Sequence, residues 1–213
     1  MAKVSNTNPE SLFNDTHMDI FKEIASMGTA YAATALADIM DKKVSVSSLN
    51  VSWVDFQNTT DVVGGPDKVI AGILVSLSGN LRGMVIHLLN LESANIITNV
   101  MMGMSGEITE IKDEFNEMEI SALEEMGNIM ISSYITSLAE LVQCKIKPSA
   151  PSLSIDMANA VLSVPVAEFG KMADQVLVIE SKLSVDNVNF TGYFSFLPNL
   201  ESFQQLLKML GVA

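Results

Sequence analysis

The 213-residue chain repeats itself, and this constrains its fold more than any other feature. With Phe13 set on Phe115, Asn14 meets Asn116, Glu23 meets Glu125, Thr34 meets Thr136, Leu36 meets Leu138 and Ala37 meets Ala139, all at one shift of 102 residues. A second match sets 83–93 on 192–202 at a shift of 109, with Asn-Leu-Glu-Ser intact and Gly83 on Gly192. The shifts differ by 7, so the second half carries a short insertion between its first helix and its hairpin. Two matches in the same order identify an internal duplication.

Each half then reads alike. A long helix starts at Asn14 or Asn116, both good N-caps, with the preceding Phe and Met18 or Ile120 as a hydrophobic staple. It runs to about Met40 and Leu141. A strand region follows, 44–56 in the first half and 148–155 in the second. Two more strands form a hairpin, turning at Ser78-Gly79-Asn80 and near Asp186-Asn187. A shorter helix closes each half, at 91–102 and 200–210, with Asn as cap and Glu favoured by the helix dipole. The polar, acidic segment 103–114 joins the halves, and 61–68 reads as a turn or mobile loop. The fold class is therefore α/β: two pseudo-symmetric repeats, about 13–103 and 115–212, forming one domain over 1–213. No flexible linker rich in Pro, Gly and Ser divides them.

Hydrophobic residues make up 48% of the chain and charged residues 17%, enough apolar material for a sizeable core. The 14 methionines fit as fillers of that core. Acidic residues outnumber basic ones 25 to 12, a net charge of −13. Such a surface repels phosphate backbones and anionic lipid, so nucleic acid and membrane surfaces are poor partners. The apolar run 69–77 is far shorter than the roughly 20 residues a membrane-spanning helix needs. Cys144 is the only cysteine, so no intramolecular disulfide forms. The N-terminus lacks the apolar stretch of a signal peptide. A cytoplasmic protein without membrane insertion is expected.

The candidate chemistry lies on the repeated helix. Glu125 and Asn128 are three residues apart, which places them on one face, about 5–6 Å apart at Cβ. Ser121 lies one turn before and Ser132 one turn after. Ile120, Leu123, Met130, Tyr134, Leu138 and Leu141 form another face, suited to the core. The equivalents of the polar stripe in the first half are Asp19, Glu23, Ser26 and Ala30. His17 and His87 are isolated and lack the clustered partners a metal site needs. No phosphate-binding or dinucleotide-binding glycine pattern is present.

The segment 121–134, SALEEMGNIMISSY, resembles the second active-site helix of the CheC family, which dephosphorylates the chemotaxis response regulator CheY. The segment 21–36, FKEIASMGTAYAATAL, resembles its first. The family pattern is Asp or Ser, Glu four residues later and Asn three after that. Ser121, Glu125 and Asn128 match it in full. Asp19 and Glu23 match, but Ser26 replaces Asn and Ala25 a frequent Gly. The resemblance implies that Glu125 and Asn128 are catalytic, with Ser121 and Asp19 in supporting places, and that Glu23 and Ser26 form a degenerate second site, weak or silent. It implies an aspartyl phosphate on a CheY-like receiver as substrate. The receiver brings its own Mg²⁺, so this chain needs no cofactor. A CheD-like deamidase is a further implied partner. The competing reading is a non-catalytic adaptor, or a binding module like that of flagellar motor-switch proteins, for CheY or CheD.

Overall fold

The computed structural model describes residues 15–170 and 175–211. Helix α1 (Asp15–Met40) leads into β1 (Val44–Asp55), a short 3-10 helix (Phe56–Val63), β2 (Val69–Gly79), β3 (Gly83–Asn90) and α2 (Leu91–Met101). The second half runs α3 (Glu117–Leu141), β4 (Ile146–Pro148), β5 (Ser152–Met157), α4 (Ala158–Val161), α5 (Ser163–Phe169), β6 (Gln175–Val185), β7 (Val188–Pro198) and α6 (Leu200–Met209). The expected cap at Asn14 and its staple with Phe13 lie outside the described residues.

The seven strands form one antiparallel sheet in the order β1-β6-β7-β3-β2-β4, with β5 also on β2. The first strand region of each half therefore sits on the other half's hairpin: β1 pairs with β6, and β4 and β5 pair with β2. At the centre, β3 pairs with β7 from Gly83↔Pro198 to Leu89↔Gly192, with Ile86 opposite Ser195. Those two residues are themselves equivalent at the 109-residue shift, so the pseudo-two-fold axis passes between them. Ladder bonds join the halves across it, and neither half has a complete sheet alone.

The long helices end alike. Asp41 and Gln143, equivalent at the 102-residue shift, both take the left-handed conformation, with φ of 49° and 48°. The next residue closes the same bond in each case, Lys42 N–H to Ala37 O at 3.2 Å and Cys144 N–H to Ala139 O at 3.1 Å. This is the Schellman arrangement, made here without glycine.

Alternation along the strands divides the core into two layers. Leu36, Ile73, Val85, Leu123, Tyr134 and Phe194 belong to the layer under α1, α2 and α3. Ile70, Ile86, Leu88 and Val178 belong to the other, covered by the 3-10 helix, α4 and α5 through Phe56, Val161 and Phe169.

Several sequence expectations need correction. The first hairpin's last pair is Leu77↔Gly83, so its loop is 78–82; it contains the expected turn residues 78–80 but extends two residues further. β4 lies against Ser78 and Gly79, and Asn80 exchanges bonds with Lys145 in both directions (2.9 and 3.0 Å), which keeps the ladder extended. The segment 61–68 is not all loop, since the 3-10 helix runs to Val63 and buries it. The second strand region splits into β4 and β5, and the insertion behind it forms α4 and α5 rather than a plain connection. Leu141, assigned to the core face, is the last residue of α3 and stands 36% exposed. The second hairpin turns where expected, at Asp186 and Asn187, both with positive φ.

Candidate functional site

Packing decides which way α3 faces. Leu123, Met126, Gly127, Met130, Ile131, Tyr134, Ser137 and Leu138 are buried. Gly127 lies over Ile73 of β2, so close that a Cβ there would come within 2.7 Å of it. Against α1, a Cβ on Gly28 would meet Tyr134 Cδ1 at 2.4 Å. Tyr134 OH and Thr29 Oγ1 are hydrogen-bonded at 2.7 Å, and Ser137 Oγ donates to Ile24 O at 3.1 Å. With that side fixed inward, the stripe must face out. Ser121 and Glu125 are exposed, and Asn128 and Ser132 half-buried. No hydrogen bond or ion pair with a described residue engages the Glu125 carboxylate or the Asn128 carboxamide.

The start of α3 is held by the expected Asn116 cap and by groups that the sequence reading did not single out. Asn116 accepts from the N–H groups of Met118 and Glu119, and Glu119 reaches back to Asn116 N–H at 2.9 Å, a reciprocal capping box. Lys112 Nζ forms an ion pair with the buried Glu119. The Lys112 hydrogen bond is the main reason the Glu119 carboxyl lies below its ordinary range; burial opposes it and the Asn116 N–H adds to it. The buried Asn95 of α2 grips the connecting segment, donating to Lys112 O (2.9 Å) and accepting from Lys112 N–H (3.4 Å). Asn116 followed by Glu119 was a readable signal; the Asn95 grip was not, since it joins residues 17 apart through a coil. These contacts fix the first turns of α3, from which Ser121 and Glu125 project.

On α1, Asp19, Glu23, Ser26 and Ala30 are all exposed. Asp19 is paired with Lys22 at 3.5 Å, both side chains well exposed. The two stripes thus lie on equivalent helices but are not equally furnished.

His87 sits elsewhere, on β3 beneath the helices. It is 1% exposed, and neither ring nitrogen has a partner among the described residues. A Cβ on Gly192 would meet its Nε2 at 2.4 Å, so the glycine makes room for the ring. Burial pushes the imidazole down to about 4. It is a neutral core residue. No group of three or more His, Cys, Asp or Glu among the described residues is arranged to hold a metal ion. No described helix is long and apolar enough to cross a membrane. An apolar cavity of about 130 Å³ between α1, α3 and the sheet is lined by Tyr134, Ile135, Leu138 and Phe194, and by none of the stripe residues.

The sequence profile of the CheC-like family matches residues 118–155, which include the whole Ser121–Asn128 pattern. The CheY-P phosphatase CheC of Bacillus subtilis (strain 168) is 27% identical over 209 residues, covering 95% of this chain and 99% of that protein. Among solved structures, Thermotoga maritima FliY superposes with a TM-score of 0.72 at 22% identity, covering 93% of this chain and 98% of that one. A chain of the FliG–FliM complex from H. pylori superposes at 0.70 with 11% identity, covering 90% and 100%. The chain is CheC-like in sequence, and its fold is the one these two solved structures share.

Proposed function

We propose that this CheC-like chain is a phosphatase that hydrolyses the aspartyl phosphate of a CheY-like response regulator, with Glu125 and Asn128 as its catalytic pair. The observation that carries the reading is the pair itself: one turn apart, outward-facing and unengaged, on a helix whose other side is buried. The end-to-end likeness to a protein named CheY-P phosphatase supports it.

The residue types suit the reaction. In an acyl phosphate the bond from phosphorus to the aspartyl oxygen breaks as water oxygen bonds to phosphorus, giving inorganic phosphate and a free carboxylate. A carboxylate leaves without an acid to protonate it, since an ordinary aspartate has a pKa near 3.9. The phosphoryl transition state is loose, so demand for a strong base is low. The chief requirement is a water held in line with phosphorus. The Asn128 carboxamide has both a donor and an acceptor and can hold such a water by two bonds. Glu125 supplies a charge-assisted bond to a cationic group of the receiver, its lysine, and sets the docking register. The receiver's Mg²⁺ belongs to the substrate and offsets phosphoryl charge. Such a substrate places the work in the cytoplasm.

The second reading is a non-catalytic adaptor. It draws on the fold shared with a chain of the FliG–FliM complex, and fold alone does not assign activity. A CheD-like deamidase is a further proposed partner, open to direct binding measurement. The deciding experiment follows phosphate release from a phosphorylated CheY-like receiver, alone, with the wild-type chain and with Asn128→Ala. Acceleration by the wild type and loss of most of it in the variant supports the phosphatase. Receiver binding without acceleration establishes the adaptor instead.

A further inference from the structure

The duplication provides an internal control, because each residue around one site has a counterpart around the other. At the 102-residue shift, Glu23 answers to Glu125, Ser26 to Asn128 and Lys22 to Glu124. The last pair reverses charge. Lys22 is three residues after Asp19 and four before Ser26, so it flanks the first stripe on the side of both. Its ammonium is 3.5 Å from the Asp19 carboxylate, with the side chain 59% exposed. On α3 the same flank carries a second carboxylate, Glu124, half-buried beside the exposed Glu125.

We infer that Lys22 is a specificity-determining residue that keeps the first site closed to the receiver, independently of the missing amide at Ser26. The inference rests on the phosphatase reading. A receiver that presents a cationic group to Glu125 meets two adjacent carboxylates on α3. At the equivalent place on α1 it meets Glu23 beside an ammonium, and Asp19 already holds that ammonium. Like charge at a docking site acts against the wrong encounter more than it alters chemistry. Ser26→Asn alone therefore restores the water-holding group but not the docking.

The test is made in an Asn128→Ala background, so that only the first site is read. Phosphate release from one phosphorylated receiver is measured for that background, with Ser26→Asn, and with Ser26→Asn plus Lys22→Glu, at low and high salt. Lys22 and Ser26 are exposed, and Asn128 is half-buried with its carboxamide unengaged by described residues, so folding is not at issue. We expect Ser26→Asn alone to recover little and the combined variant to release phosphate at least about threefold faster, chiefly through a lower KM, with the gain shrinking as salt rises. Equal rates for the two, or no activity from either, would overturn the role of Lys22. The phosphatase reading fails separately, if Asn128→Ala in the otherwise unchanged chain releases phosphate as fast as wild type.

Discussion

Ser93 Oγ of α2 accepts a hydrogen bond from Thr191 N–H of β7 at 2.9 Å, and the pseudo-two-fold axis repeats that bond as Ser202 Oγ from Arg82 N–H at 2.7 Å. Each serine is also the residue whose own N–H is bonded by the preceding helix cap, Asn90 or Asn199. The duplicated Asn-Leu-Glu-Ser is thus both a helix start and a tie to the opposite half. Ser93→Ala should leave the Thr191 N–H unpaired and cost about 1–2 kcal/mol. Ser202→Ala should cost a similar amount. Urea unfolding of both variants checks the symmetry, and a large disparity would show that the two ties are not equivalent in energy.

A methyl group at Gly28 would enter the ring of Tyr134, where α1 packs against α3. Gly28→Ala should lower stability by about 1–3 kcal/mol, the range for overpacking a tight contact. Thermal unfolding measures it. An unchanged melting temperature would mean that the helices can separate without cost.

Gln143 ends α3 in the left-handed region with a Cβ in place. Gln143→Gly removes that steric penalty and should stabilise the chain by about 0.5–1 kcal/mol, with the Cys144–Ala139 bond kept. Chemical denaturation decides the sign.

His87 makes stability depend on acid. Its folded pKa of about 4 is below the ordinary 6.5, so between those values the unfolded chain binds the extra proton. The stability that the neutral ring preserves is fully present above pH 6.5 and is lost as pH falls toward 4. From pH 7 to pH 5 this group alone should account for about 2 kcal/mol, at roughly 1.4 kcal/mol per pH unit below 6.5. His87→Leu should remove that share of the slope in urea titrations at the two pH values.

In phosphate-release assays Ser26→Ala should stay within about twofold of wild type, because that position lacks the carboxamide needed to hold water from both sides. Glu125→Ala should weaken docking by about 1.5–3 kcal/mol, seen mainly in KM. Equal losses from Ser26→Ala and Asn128→Ala would place the working site on the wrong helix.

What could be read in the sequence was what short range decides. The Asn116 cap, the Asp186-Asn187 turn and the two Asn-Leu-Glu-Ser starts are each specified by neighbours within a few residues, and each stands where expected. The outward stripe followed from helical period, given the apolar residues that fix the inner side. Strand partnership did not follow, because β1 is written far from β6 and the duplication alone does not say whether a strand joins its own hairpin or the other. The missed grip of Asn95 on Lys112 and the room that Gly192 makes for His87 are likewise long-range facts. Charge reversal at Lys22 and Glu124 was visible in the letters, but it acquires meaning only once the two helices are known to be equivalent.

The exchange of first strands between the halves also bears on descent. A single half with this pairing would have to lend its strand to a second copy, so the simplest forerunner is a two-fold dimer bearing two identical sites. In such a dimer one gene writes both sites, and a change of Asn to Ser would strike both together. Joining the copies into one chain keeps the shared ladder and removes that coupling. The two stripes can then differ, as Ser26 and Asn128 or Lys22 and Glu124 do here, while the ladder and the paired serines still hold the halves together.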